Sequence, residues 1–260
     1  SDLVDISFPL EEQASDQFNI AGGWGSGSFV GSVGITLNNL STRNLFKKGT
    51  WSPYPMGQNQ KLNISGQTNG TYYKALSVSF TDPWVGGRKP NSLSVSAHWS
   101  EQNNAYYIWQ TATMYFRTLG VAIGMGKRLN WPDRNFTLYG ELQYRRYALN
   151  NWDYFIMKDG IANQLSANIS LSRSTVDQPF FPRSGSEFSL ELDITPPYSS
   201  WDGKDYSNQK MSDQDRYRWI EYHRWQFKAR WFTPLTRNNN LVLMAKAEMG
   251  YLGHYNKYKT

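Results

Sequence analysis

Residues 119–126 read LGVAIGMG, in which every second residue is apolar and every residue between is glycine or alanine. Upstream, LSVSAHW (93–99) repeats this alternation with serine and histidine on the second face. Successive side chains of a β-strand point to opposite faces, so a period of two predicts strands with one apolar and one small or polar face. A helix would need a period of 3.6, and no segment shows one convincingly.

The same pattern recurs along the whole chain and predicts eleven strands. The first covers Gln17–Gly25 and the last carries Leu241, Leu243 and Ala245. The second half has more charge on the polar face. There Glu187, Glu191 and Asp193 of one strand are expected to face basic residues of a neighbouring strand, namely Arg224, Lys228 and Arg230. We therefore interpret the three carboxylates as members of ion pairs and not as a glycosidase pair.

Composition favours a membrane barrel over a soluble sandwich. The chain has 260 residues, of which 39% are hydrophobic and 16% aromatic, and its mean hydropathy is -0.63. No apolar run approaches the roughly 18 residues of a transmembrane helix. The alternation lasts about ten residues per strand, the length that crosses a bilayer, and aromatic residues gather at strand ends as in interfacial girdles. We predict an all-β, antiparallel, up-and-down transmembrane barrel, with a soluble carbohydrate-binding β-sandwich as the alternative of a different class.

Catalytic, metal and nucleic-acid sites are not indicated. Cysteine is absent, and the three histidines (His98, His223 and His254) have no metal-binding spacing. The net charge of +6 is dispersed, and the basic, aromatic segment 216–232 alternates as a strand does. We expect no enzyme activity, no cofactor and no nucleic-acid partner.

Two turns carry motifs that extend the prediction. One holds Asp82, Pro83 and Trp84, and the other holds Asp177, Phe181, Pro182, Gly185 and Ser186. With the segments around them, in order along the chain, they resemble the periplasmic turns of the BamA-like family of outer-membrane assembly proteins. The long turn at 39–60 resembles a Bacteroidota-type version. The resemblance implies periplasmic turns at 39–60, 82–91, 127–135, 173–186 and 233–240.

The same resemblance implies a domain organisation. Residues 1–14 would be the end of the last POTRA domain and its linker, and residues 15–260 the first eleven strands of a sixteen-stranded barrel. An odd number of strands does not close an up-and-down barrel, so we expect further strands to be missing from this sequence. The resemblance implies that the chain stops before the family's sixth extracellular loop.

The function implied by the resemblance is assembly of nascent outer-membrane β-barrels at a weak lateral seam in the outer membrane of a Gram-negative bacterium. The lateral-gate strand would be Gln17, Phe18, Asn19, Ile20, Ala21, Gly22, Gly23, Trp24 and Gly25. Expected partners are outer-membrane lipids, nascent barrel proteins and accessory lipoproteins of the BAM complex at the periplasmic side. A related translocase of the TamA or two-partner secretion type remains an alternative.

Overall fold

A computed structural model describes residues 16–25, 28–47, 49, 51, 53–87, 89–105, 107, 109–238 and 240–259. Within these residues the chain forms one sheet of eleven strands, in which every strand pairs antiparallel with the next along the chain. The strands are β1 (Gln17–Gly25), β2 (Ser28–Leu40), β3 (Gln60–Asn69), β4 (Tyr73–Asp82), β5 (Asn91–Asn103), β6 (Tyr115–Arg128), β7 (Phe136–Asn150), β8 (Gly160–Ser174), β9 (Gly185–Ile194), β10 (His223–Pro234) and β11 (Val242–Gly253). The predicted fold class and the eleven strands are confirmed.

Burial of the two faces of the sheet is the opposite of that in a soluble protein: the apolar face is exposed and the polar face is partly buried. Apolar residues at the strand centres are exposed, among them Leu76, Val95, Ile123 and Leu190. Polar residues on the other face, such as Gln164, Ser166 and Asp193, are buried. The apolar face therefore has no second sheet against it among the described residues, and the sandwich alternative is wrong. We call the polar face the interior face.

Glycines on the interior face of β6 make room for larger side chains from its neighbours. A Cβ at Gly120 would overlap the ring of His98 on β5, and one at Gly124 would overlap the Tyr139 hydroxyl on β7. The small residues of LGVAIGMG thus permit a bulky polar layer on adjacent strands.

Successive connections lie at alternate ends of the strands, as antiparallel pairing requires. The described parts of turns 41–59, 83–90, 129–135, 175–184 and 235–241 lie at one end, and the described parts of connections 70–72, 104–114, 151–159 and 195–222 lie at the other. These bounds agree with the predicted turns to within a few residues. We call the two ends the turn side and the loop side.

The apolar core of the described residues lies at the loop-side ends of β7 and β8, beneath the connection between them. Leu149, Trp152, Met157 and Ala162 are buried together, with Phe116 packed against them. Above this core, segment 195–222 folds back onto β8, which extends beyond its pairing with β9. The amide of Asn163 donates to the Arg218 carbonyl, and the Ile220 amide donates to the Asn163 carbonyl.

A four-residue helix, α1 (Asp213–Arg216), lies within this loop and was not expected from the sequence. The Ser212 side chain accepts a hydrogen bond from the Asp215 amide, which satisfies one of the free amides at the helix start. The part of the chain that the structure describes contains no helix with the length and apolarity needed to cross a bilayer. The predicted domain end at 1–14 lies outside the described residues, and the total of sixteen strands stays a prediction.

Candidate functional site

The predicted gate strand, β1, lies at one edge of the sheet. It pairs with β2 over nine residue pairs, from Gln17 opposite Thr36 to Gly25 opposite Ser28. Within the described residues its other edge has no partner. Its apolar side chains are strongly exposed: Phe18 by 64%, Ile20 by 70% and Trp24 by 72%. Amide and carbonyl groups along this edge are therefore free to pair with another strand.

A ring from β2 covers one glycine of β1, Gly22. The Phe29 ring lies 3.0 Å from the position that a Cβ of Gly22 would take. On β2 itself, a Cβ at Gly31 would lie 2.7 Å from the same ring and 2.9 Å from the Ala21 carbonyl oxygen. Such distances are shorter than ordinary van der Waals contacts, so residues larger than glycine would displace Phe29. The glycines thus allow an aromatic ring to cross the β1–β2 pair.

The turn-side end of β1 is tied to its neighbours by Asp16. One carboxylate oxygen accepts the Asn38 amide at 2.9 Å, and the other accepts the Tyr54 hydroxyl of turn 41–59 at 2.7 Å. Desolvation and the hydrogen bond to Asp16 raise the pKa of Tyr54 to about 12. The strand is thereby held at one end by side-chain bonds that sequence reasoning did not identify.

The Asp82-Pro83-Trp84 motif forms the start of turn 83–90 and links it to turn 41–59. One Asp82 oxygen accepts the Trp84 amide at 2.9 Å, which closes an Asx turn. The other accepts the Gln60 side chain at 2.8 Å, and Gln60 also accepts the Thr42 amide. Because Gln60 is buried, this chain of bonds fixes the two turns to each other.

The second motif closes turn 175–184. Asp177 accepts the amides of Arg183 at 2.9 Å and Ser184 at 3.3 Å. These backbone hydrogen bonds lower the pKa of Asp177 below its ordinary value. Phe181 has a positive φ of 55° and Gly185 one of 104°. At Gly185 a Cβ would overlap the Thr175 carbonyl, so only glycine fits the end of this turn.

The interior face carries a chain of polar contacts next to the expected ion pairs. Arg224 lies opposite Asp193 and bonds it at 3.2 Å, and Arg230 lies opposite Glu187 and bonds it. Lys228 lies opposite Ser189 and Glu191 lies opposite Gln226, so the ion pair expected for Glu191 does not form across this strand pair. The ion pairs follow from the period of two and the strand register, and Glu187 and Asp193 each have a structural partner.

Two further residues join this network and were missed from sequence. The Tyr222 hydroxyl donates to Asp193 at 2.8 Å and accepts from Gln164 at 2.9 Å. Tyr222 lies one residue before β10 and continues its pleat, because the Thr195 amide donates to the Tyr222 carbonyl next to the pair of His223 with Ile194. Its side chain therefore lies on the same face as Arg224.

The model of the Omp85 superfamily domain matches residues 56–260, which include most of the sheet and both motif turns. The chain belongs to the Omp85 superfamily.

A solved structure supports the fold of this Omp85 chain. It is similar to the crystal structure of BamA from Haemophilus ducreyi lacking POTRA domains 1–3, with a TM-score of 0.59 and 18% sequence identity. The match covers 94% of this chain and 42% of the other, so this chain spans less than half of that protein's length.

Proposed function

We propose that this Omp85 chain is barrel-forming sequence of an outer-membrane assembly factor, in which β1 templates the strands of nascent β-barrel proteins. The observation that carries the proposal is the edge position of β1, which has β2 on one side and no partner on the other among the described residues. An exposed strand edge binds an incoming strand through backbone hydrogen bonds, independently of its side-chain sequence. That independence suits a factor that accepts many clients.

Two features of β1 support its role as an exchangeable strand. Its nine residues include three glycines, which contribute little packing and have high backbone freedom. By contrast, β7 and β8 pair over fourteen positions in the middle of the sheet. The bonds of Asp16 to Asn38 and Tyr54 keep the turn-side end of β1 attached to the sheet. The loop-side end can then separate without loss of the whole strand.

The proposed partners follow from this role. Clients are nascent outer-membrane β-barrels, and the exposed apolar face contacts outer-membrane lipids of a Gram-negative bacterium. We place an accessory lipoprotein of a BAM-type complex at turn 41–59, where Phe46 and Trp51 are exposed. The ends of this turn are fixed by hydrogen bonds from Ser41 to Gln58 and from Thr42 to Gln60. The mechanism involves strand exchange without a covalent step, so the protein needs neither a cofactor nor enzyme activity.

A cysteine crosslinking experiment tests the templating role. These 260 residues contain no cysteine, so Ile20→Cys introduces the single thiol of this part of the full-length protein, and any cysteine elsewhere in the protein is replaced by serine. Ile64→Cys is the matched control, since Ile64 is also exposed but lies on β3, which is paired on both sides. A client with a cysteine in its last strand is expressed in cells, and disulfide formation is followed during assembly.

We expect the client to crosslink to Ile20→Cys while it is being assembled, and only at background level to Ile64→Cys. Equal crosslinking at both positions, or none at Ile20→Cys while clients assemble normally, contradicts templating at β1. A crosslinked substrate that is later secreted instead of inserted would identify a translocase.

A further inference from the structure

Four turns at the turn side share one arrangement: each presents a basic side chain beside an exposed aromatic or leucine side chain. They are turns 83–87 with 89–90, 129–135, 175–184, and 235–238 with 240–241, and we call them the turn rim. The basic residues are Lys89, Arg134, Arg183 and Arg237. The apolar residues are Trp84, Trp131, Phe180, Phe181, Leu235 and Leu241. Turn 41–59 is set apart, because its surface is proposed to meet a protein.

The basic side chains of the turn rim are exposed and not neutralised within the described part of the chain. None of the four forms an ion pair there. The acidic residues of the rim accept hydrogen bonds from within the protein. Asp133 accepts from the Asn135 amide and from Arg173, and Asp177 accepts from two amides of its own turn. The rim therefore presents positive charge to its surroundings.

Three aromatic residues of the rim are among the most exposed large hydrophobic residues of the described chain. Trp131 is exposed by 82%, Phe180 by 83% and Phe181 by 91%. Large apolar side chains left in water at four successive turns, three of them with aromatic rings, are unfavourable unless they meet an apolar phase. Aromatic rings prefer the level of the lipid headgroups, where one part is dry and another is wet.

The loop side lacks this excess of positive charge. Connections 26–27, 70–72 and 104–114 contain no charged residue in their sequence. In 151–159 and 195–222 acidic residues outnumber basic ones: Asp153, Asp159, Asp202, Asp205, Asp213, Asp215 and Glu221 against Lys158, Lys204, Lys210, Arg216 and Arg218. The two ends of the sheet therefore differ in charge although both carry exposed aromatic residues.

We propose that the turn rim binds the phosphate headgroups of anionic phospholipids in the leaflet that surrounds the turns. The basic residues pair with the phosphates while the neighbouring rings enter the headgroup layer. The occupant is a lipid and not an acidic protein, because each of the four turns combines a cation with exposed apolar side chains at the same end of a membrane-facing sheet. The proposal rests on the membrane barrel and is independent of strand templating.

Spin-labelled lipids provide the test. The full-length protein is purified and reconstituted alone in phosphatidylcholine vesicles, and electron paramagnetic resonance measures the preference of its surface for spin-labelled phosphatidylglycerol over phosphatidylcholine. The rim variant replaces Lys89, Arg134, Arg183 and Arg237 by Gln. The control variant makes the same change of charge at exposed loop-side residues, with Lys74, Lys204, Lys210 and Arg218 replaced by Gln.

We expect the wild type and the control variant to prefer phosphatidylglycerol over phosphatidylcholine. In the rim variant this preference should be lower by a factor of about five or more. The wild-type preference should also fall as salt rises from about 50 to 500 mM, because salt screens exposed charges. A rim variant in which Lys and Arg are exchanged for each other at the four sites should keep the preference. If the Gln variant fails to fold, the proposal is tested by these two measurements: it requires a preference that falls with salt and that persists in the charge-preserving variant.

Three results would overturn the proposal. They are an unchanged preference in the folded rim variant, an equal loss in the control variant, or no preference in the wild type. The last result, in a preparation without other proteins, would leave an acidic protein surface as the ligand of the rim. Client assembly is assayed separately, so failure of the templating proposal does not affect this outcome.

Discussion

At the scale of single residues, the motif turns are determined by side chains that replace missing backbone partners. Asp177 accepts two amides of its own turn, and Asp82 accepts the Trp84 amide and the Gln60 side chain. Gly185 ends the second turn with a positive φ that side chains rarely adopt. The motif residues thus build the turns, and a direct role in client binding is not needed to explain them.

Gly185→Ala tests this interpretation. The added Cβ would overlap the Thr175 carbonyl at a φ of 104°, so we expect a loss of about 1–3 kcal/mol in the free energy of unfolding. The measurement is denaturant unfolding of the full-length protein in vesicles. Gly140→Ala is the control, because nothing lies within 4 Å of its Cβ position. Equal stability of the two variants would show that turn 175–184 relaxes without cost.

At the scale of elements, the loop-side segment 195–222 serves as an extra edge for β8. Gln214 on α1 imitates a backbone strand: its side chain accepts the Ile161 amide at 2.6 Å and donates to the Ile161 carbonyl at 2.9 Å. The segment is held a second time by a buried ion pair between Glu221 and Lys259 at 2.9 Å. Glu221 also accepts the amide and hydroxyl of Ser199, so the buried charge is fully bonded.

Gln214→Ala should loosen this segment. Loss of two hydrogen bonds to the backbone costs about 1–3 kcal/mol, and the Ile161 amide should exchange its hydrogen faster. Hydrogen exchange with mass spectrometry of the β8 peptide measures the effect, and Gln209→Ala in the same loop is the control. Gly160→Ala should produce the same defect, because its Cβ would overlap the Gln214 amide oxygen. Unchanged exchange in both variants would refute the contribution of Gln214.

At the scale of the whole molecule, the barrel depends on an apolar face in lipid and a polar face in the interior. Hydrocarbon offers no hydrogen-bond partners, so backbone groups that cross it must bond within the sheet. The eleven strands satisfy this along their length, and β1 and β11 form the two ends of the described sheet. Among the described residues, open backbone groups are therefore concentrated at β1 and β11. We place the proposed function at β1 because this strand has only nine residues, three of which are glycines.

Two neighbouring residues of β7 distinguish the faces. Leu142→Lys puts a charge on the exposed face at mid-strand and should cost about 2–4 kcal/mol in vesicles. Gln143→Lys puts the same charge on the interior face, between Ala122 and Ser166, and should cost clearly less. Unfolding of both variants in vesicles by denaturant gives the comparison. A larger loss for Gln143→Lys would mean that the apolar face is not the one in lipid.

Period-two alternation determined the strands, their faces and the ion pairs of Asp193 and Glu187, because pleat geometry and antiparallel register depend only on positions along the chain. The limits of β1 and both motif turns were likewise readable from local sequence. Only the tertiary structure placed Gln214 on Ile161 and Glu221 on Lys259. Gln214 and Glu221 lie in an irregular connection, where no period relates sequence position to direction, so their partners are decided by how this distant segment folds back onto the sheet.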